Sequence, residues 1–181
     1  MMTDYRVLSA RDNPLQYLSG FSAIYRQAFS PAPYAKSELE ISIFTRSFPG
    51  HVQRADFRMV LAEQSGEIIG FAYGYTTAAD HYWNEFVRGY LLQVETDAWL
   101  SYAFQLVEIA LIPAHQGQGI GGSLYDRLME GLPHHTAVLT TMCADTNAYN
   151  LYKRRGWITL VEEQHPPGMN RAYRTMGLKL K

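Results

Sequence analysis

The segment from Phe104 to Glu130 constrains the fold more than any other part of the chain. Phe104, Leu106, Glu108, Ala110 and Ile112 alternate with other residues until Pro113, and the run Gln116-Gly117-Gln118-Gly119-Ile120-Gly121-Gly122 follows at once. Ile120, Leu124 and Leu128 then recur at four-residue steps, closed by Gly131 and Pro133. A strand, a glycine-rich loop and a helix therefore come in succession. Such a loop can turn its backbone N–H groups toward an anion at the helix N-terminus, and glycines let a pyrophosphate come close. Gly117, Gly119 and Gly122 also satisfy G-x-G-x-x-G, the dinucleotide fingerprint. That fingerprint opens a run of parallel βαβ units, whereas this loop comes late, and no acidic residue ends the next strand, TAVLTTM. A glycine-rich turn with a structural role alone is the third reading.

The elements around it give an order. Tyr5–Leu8 reads as a short strand, and Asn13-Pro14 opens a helix whose Leu15, Leu18, Phe21, Tyr25 and Phe29 share one face. Ser37 and Glu40 have capping-box spacing for a second helix, expected to stop at Phe48-Pro49-Gly50. Phe57, Met59 and Leu61, then Ile69, Phe71, Tyr73 and Tyr75, alternate on either side of Ser65-Gly66, an antiparallel hairpin. Periodicity is lost over 78–100. Strands are expected at 136–141, 157–161 and 171–180, the last beyond a Pro-Pro-Gly loop, with a short helix at 147–155. The result is an α+β fold: a mixed, mostly antiparallel sheet of about six to seven strands flanked by about four helices, in one domain over 1–181.

Two stretches carry a family resemblance. VEIALIP with Gln116–Gly121 resembles Q/R-x-x-G-x-G/A, and Asp145–Trp157 is similar to a helix ending in L-Y-x-x-x-G-[FW]. Together with the element order over nearly the whole chain, they look like the GNAT superfamily of acyl-CoA-dependent N-acyltransferases. The resemblance implies a splayed central strand that holds acyl-CoA, with amides from Gln116, Gly117, Gln118, Gly119, Ile120 and Gly121, extending to Gly122 and Ser123, around the pyrophosphate. It also implies main-chain groups near Leu111 and Ile112 for pantetheine. Asp145 departs from the asparagine common before the later helix; Asp145 remains able to cap it, and Asn147 is the expected amide contact to CoA. Lys153, Arg154 and Arg155 stand beside that helix as cations for the ribose phosphate or as a solvated face.

The chemistry then has two candidate residues. An acceptor amine with a lysine-like pKa of about 10.4 costs roughly 4 to 5 kcal/mol to deprotonate at neutral pH, so a carboxylate base helps. Glu108 resembles the family's glutamate base, and it interrupts an apolar alternation where a charge is costly; pairing with a nearby Arg, or exposure where the sheet opens, is the plainer account. Tyr152 matches the tyrosine that protonates the leaving thiolate, a phenol in a core-facing role being the alternative.

These readings give an N-acetyltransferase moving an acetyl group from acetyl-CoA to a primary amine of a small molecule or peptide by direct attack. A non-catalytic acyl-CoA-binding regulatory module is the alternative. A net charge of -1 argues against nucleic acid or an anionic membrane as partner. One cysteine, Cys143, rules out an intramolecular disulfide framework and fits a cytoplasmic setting, and Cys143 reads as a buried thiol. No metal-spaced His/Cys cluster occurs: His134-His135 are adjacent, and His115 reads as a solvated loop residue. The 78–100 stretch sets Asp80, Glu85, Glu95 and Asp97 against Arg88 and adds Tyr82, Trp83, Phe86, Tyr90 and Trp99, the composition of an acceptor-side insertion or of a loop anchored by its aromatics. A homodimer stays open.

Overall fold

The computed structural model describes residues 2–167, 169 and 171–180, and only the backbone of Val94. Among these residues the fold holds seven strands in the order β1-β2-β3-β4-β5-β7-β6, with six α-helices. Contacts cluster into two compact units, residues 1–75 with 107–131 and residues 76–106 with 132–181.

In the first unit β1 (Asp4–Ser9) pairs antiparallel with β2 (Arg58–Gln64), and β2 with β3 (Glu67–Thr76). The turn between β2 and β3 falls on Ser65 and Gly66 with φ of 52° and 82°, the left-handed pair that matches strand twist in a two-residue hairpin. Two helices, α1 (Leu18–Phe29) and α2 (Glu38–Val52), bury Phe21, Ile24, Tyr25, Phe44 and Phe48 against Met59, Leu61, Phe71, Tyr73 and Tyr75. Alternation sends Val60 and Ala62 of β2, both fully buried, to the opposite face, where helix α5 (Ile120–Met129) packs on β1 and β2.

The Ser37–Glu40 box closes in both directions: Glu40 N–H donates to Ser37 Oγ at 3.3 Å, and Ser37 N–H to Glu40 Oε2 at 2.9 Å. Two expectations are corrected here. The α1 helix begins at Leu18, because Pro14–Tyr17 is a 3-10 turn that leaves Leu15 exposed. The α2 helix runs through Pro49 to Val52. A proline in the last turn removes one hydrogen bond, and burial of Phe48 and Val52 on either side outweighs that loss.

In the second unit the parallel ladder of β4 (Ala103–Leu111) with β5 (Thr136–Met142) comprises Ala103↔Thr136, Phe104↔Ala137 and Gln105↔Val138. Strand β5 also pairs antiparallel with β7 (Tyr173–Lys179), and β7 with β6 (Ile158–Gln164). The 78–100 stretch is two short helices, α3 (Tyr82–Arg88) and α4 (Gln93–Leu100), which raise the helix number above the expected four. Two of their aromatics are anchored: Trp83 Nε1 donates to Thr140 Oγ1 at 2.8 Å, and Trp83 and Trp99 pack on Leu100, Ala103 and Val138. The polar chain continues from Thr140 to Thr175 at 3.0 Å and from Thr175 to Gln164 at 2.5 Å. Helix α6 (Asn147–Arg154) completes the set. The loop expected before β7 includes Gly168, which lies outside the described residues.

Thr77 N–H donates to Ala103 O in the second unit, and Ile112 N–H to Ile69 O in the first. No helix among the described residues is long and apolar enough to cross a membrane.

Candidate active site

The glycine loop is braced from within. Gln116 Nε2 donates to Leu111 O at 3.0 Å and Gln118 Nε2 to Ala114 O at 3.1 Å, so both side chains tie the loop to the end of β4. Gly117 and Gly119 have φ of 75° and 82°. Gly119 is the N-cap of α5 and offers no side chain to satisfy the helix. Ser123 N–H donates to Gly119 O at 3.0 Å, closing the first turn. The N–H groups of Ile120, Gly121 and Gly122 precede that bond and have no intrahelical acceptor. A Cβ added at Gly117, Gly119 or Gly121 would meet no atom within 4 Å. The geometry thus fits a bound diphosphate: unspent donors at the positive end of a helix, with open space in front.

The expected donor set is narrower at its ends. Gln116 N–H is engaged by Pro113 O at 3.1 Å and Ser123 N–H by Gly119 O, which leaves Ser123 its hydroxyl. Just past β4 the Ile112 N–H is spent on Ile69 O at 3.0 Å. Leu111 C=O receives Gln116 Nε2 at 3.0 Å.

Glu108 is half-buried in the same unit. Tyr25 of α1 donates its hydroxyl to Glu108 Oε1 at 3.1 Å, and Lys36 Nζ donates in turn to that hydroxyl. Burial pushes the Glu108 carboxyl above the ordinary carboxylate value, opposed by the Lys36 charge and the Tyr25 hydrogen bond. Tyr73 and Tyr75 of β3 stand within electrostatic reach. Burial and the Glu108 charge hold Tyr73 well above the usual phenol value, and burial pushes Tyr75 up to about 12 despite its hydrogen bond from Arg54. His51 Nδ1 lies 3.0 Å from Tyr73 Oη. Sequence reading missed this tyrosine shell. Its one signal was the phenols themselves: Tyr25, Tyr73 and Tyr75 on core faces each need a partner for a hydroxyl.

In the second unit the L-Y-x-x-x-G-W signature is a backbone stop. Trp157 N–H donates to Tyr152 O at 3.1 Å and Gly156 N–H to Lys153 O at 3.1 Å, with Gly156 at φ 83°. That is the Schellman pattern, and the accompanying apolar contact is Tyr152 with Trp157, ring centroids 5.8 Å apart. Tyr152 is buried, and Asn147 is exposed at the first turn of α6. Thr146, not Asp145, caps the helix: Tyr149 N–H donates to Thr146 Oγ1 at 3.1 Å, while Asp145 accepts from Asn150 Nδ2 at 2.6 Å. Asp145 is one residue too early for the N-cap. Cys143 Sγ lies 3.2 Å from Glu162 O and is half-buried rather than enclosed. No group of three or more His, Cys, Asp or Glu among the described residues is placed to hold a metal ion.

A mixed seven-stranded sheet flanked by six helices, with a glycine loop opening the helix after β4, is the arrangement of the GNAT fold. The chain belongs to the acetyltransferase (GNAT) family, which it matches over residues 21–157. It is 29% identical over 121 residues to a GCN5-like protein acetyltransferase of Mycobacterium tuberculosis, covering 62% of this chain and 59% of that protein's length. Among solved structures it is similar to the PaiA N-acetyltransferase of Thermoplasma acidophilum in complex with coenzyme A, with TM-score 0.65, 18% identity and 99% of each chain covered. It is also similar to YncA of Salmonella typhimurium, solved with acetyl-CoA, with TM-score 0.61, 14% identity and coverage of 100% and 95%.

Proposed function

We propose that the protein is an N-acetyltransferase that moves an acetyl group from acetyl-CoA to a primary amine of a small molecule or a peptide, by direct attack in a ternary complex. The observation that carries the reading is Glu108, a carboxylate kept inside an aromatic shell on the strand that leads into the diphosphate-fitting loop. Bound acetyl-CoA supplies an activated thioester. Ile120, Gly121 and Gly122 hold its diphosphate through backbone N–H groups, and Leu111 N–H receives the pantetheine arm. Glu108 takes a proton from the acceptor ammonium, which frees the nitrogen lone pair; the N–C bond forms as the C–S bond breaks. A carboxyl raised above its ordinary value is the stronger base once ionised. Tyr152 gives its phenol proton to the departing thiolate and regains one, through solvent, from the second proton that the acylated nitrogen sheds, a role that rests on the match of its helix to the family signature.

Tyr82 of α3 and Tyr90 just after it are exposed rings in a stretch that holds Asp80, Glu85, Glu95 and Asp97, which suits first capture of a cationic amine. Calorimetry with acetyl-CoA and thiol release over an amine panel test the reading. Binding with release for at least one amine supports it. Binding without release for any amine makes the chain an acyl-CoA-binding module, and NAD binding without CoA binding overturns both.

A further inference from the structure

The connection between α1 and α2 returns Lys36 over the end of α1. Its backbone N–H donates to Phe29 O at 2.9 Å, and its ammonium sits 4.5 Å from the Phe29 ring centroid and 4.7 Å from that of Tyr25. From there it donates to the Tyr25 hydroxyl, which donates onward to Glu108 Oε1. A phenol has one proton, so the direction of this chain is fixed: ammonium to phenol oxygen, phenol proton to carboxylate. Glu108 Oε1 is thereby occupied, and Oε2 accepts no hydrogen bond from the described residues. The groups facing Glu108 come from three elements: Tyr25 from α1, Lys36 from the loop, and Tyr73 and Tyr75 from β3, with His51 and Arg54 behind the two tyrosines. The phenols of β3 are neutral at working pH. Lys36 is the cation whose charge reaches the carboxyl.

We propose that Lys36 and Tyr25 are positioning residues that keep Glu108 ionised and turned so that its free oxygen, Oε2, faces the proton of the acceptor amine. The inference rests on the reading of Glu108 as the base. It explains how a carboxylate survives among Tyr25, Tyr73 and Tyr75 without an ion pair in contact: its countercharge is held one phenol away, where it does not occupy the reacting oxygen. Charge-assisted hydrogen bonds of this kind run stronger than neutral ones, which suits a support that must resist desolvation.

The test uses the full chain with Lys36→Met, Lys36→Arg, Tyr25→Phe and Glu108→Gln, following kcat/KM against pH for an amine taken from the panel. Lys36→Met moves the acidic limb upward by about one pH unit, a roughly tenfold loss below it that is recovered above it, with KM for acetyl-CoA unchanged. Tyr25→Phe shifts the limb the same way, and Lys36→Arg restores it. In parallel the Glu108 carboxyl resonance, assigned by its absence in Glu108→Gln, is titrated by carbon-13 NMR, which needs no turnover and reads Tyr25→Phe should Lys36→Met fold poorly. A limb and a resonance unmoved in both variants overturn this inference while leaving Glu108 as base. A wild-type pH profile in Glu108→Gln overturns the base assignment itself.

Discussion

Gly70 and Leu111 approach so closely across β3 and β4 that a Cβ at position 70 would lie 2.7 Å from Leu111 Cδ1 and 2.8 Å from Ala110 O. The leucine tip can yield, but the carbonyl is backbone and cannot move without parting the strands. Gly70→Ala should therefore destabilise by about 1–3 kcal/mol and lower Tm by several degrees. It should also weaken acetyl-CoA binding, because the Leu111 main chain shifts with β4. Thermal unfolding and calorimetry check both; a variant as stable as the parent would show that the strands relax freely.

Gly121 gives the opposite case. It lies in the first turn of α5 with ordinary φ and open space where a Cβ would go, so nothing in the fold requires glycine. Gly121→Ala should hold Tm or raise it, since alanine is favoured in a helix by up to about 1 kcal/mol. Acetyl-CoA affinity should fall severalfold. Gly119→Ala, by contrast, forces a side chain to φ 82° and should lose about 1–2 kcal/mol of stability as well. Equal affinity in Gly121→Ala and the parent would remove the loop from the diphosphate site.

Arg58 braces the far end of the same helix. Its Nη1 donates to Glu130 O at 2.8 Å and its Nη2 to Arg127 O at 2.9 Å, where the helix leaves carbonyls unsatisfied. Arg58→Met should cost about 1–2 kcal/mol and speed amide exchange in the last turn of α5. Unchanged exchange there would mean that solvent replaces the guanidinium without loss.

Glu108→Gln should separate activity from stability. The Glu108 carboxyl binds its proton more tightly folded than unfolded, so its contribution is favourable below the unfolded value, about 4.3, and is lost as pH rises through the folded one. At neutral pH the native protein therefore bears the desolvation cost of an ionised carboxylate that glutamine lacks. The variant should be inactive yet more heat-stable at pH 7 to 8, with the gap closing as pH drops toward 4. A variant less stable than the parent across that range would contradict the desolvation account.

Local grammar made much of this fold readable. Pro113 and the glycines after it announced the end of β4 and the start of α5, Ser37 and Glu40 announced α2, and Ser65-Gly66 announced the hairpin. The α3 and α4 helices escaped notice because stretches of 7 and 8 residues are too short to show a helical period. Their N-caps, His81 and Leu92, are also not capping residues by type. Leu92 N–H is instead bonded by the Glu95 carboxylate at 2.9 Å. Pro49 misled because tertiary burial of Phe48 and Val52 decides where α2 stops. In the site, Glu108 stood out for its charge in an apolar run. Its partner Tyr25 lies 83 residues away, a distance over which spacing carries no information.

The Schellman turn at Gly156 has a consequence for how the second unit can change. Its fastening is made of main-chain N–H and C=O groups and one ring contact, none of which uses the Tyr152 hydroxyl. Tyr152→Phe should thus keep the helix end intact, with amide exchange in the last turn of α6 unchanged, and thiol release by that variant tests the role proposed for the phenol. A stop built from the main chain lets the side chain at its head vary among aromatic residues while the helix end stays the same.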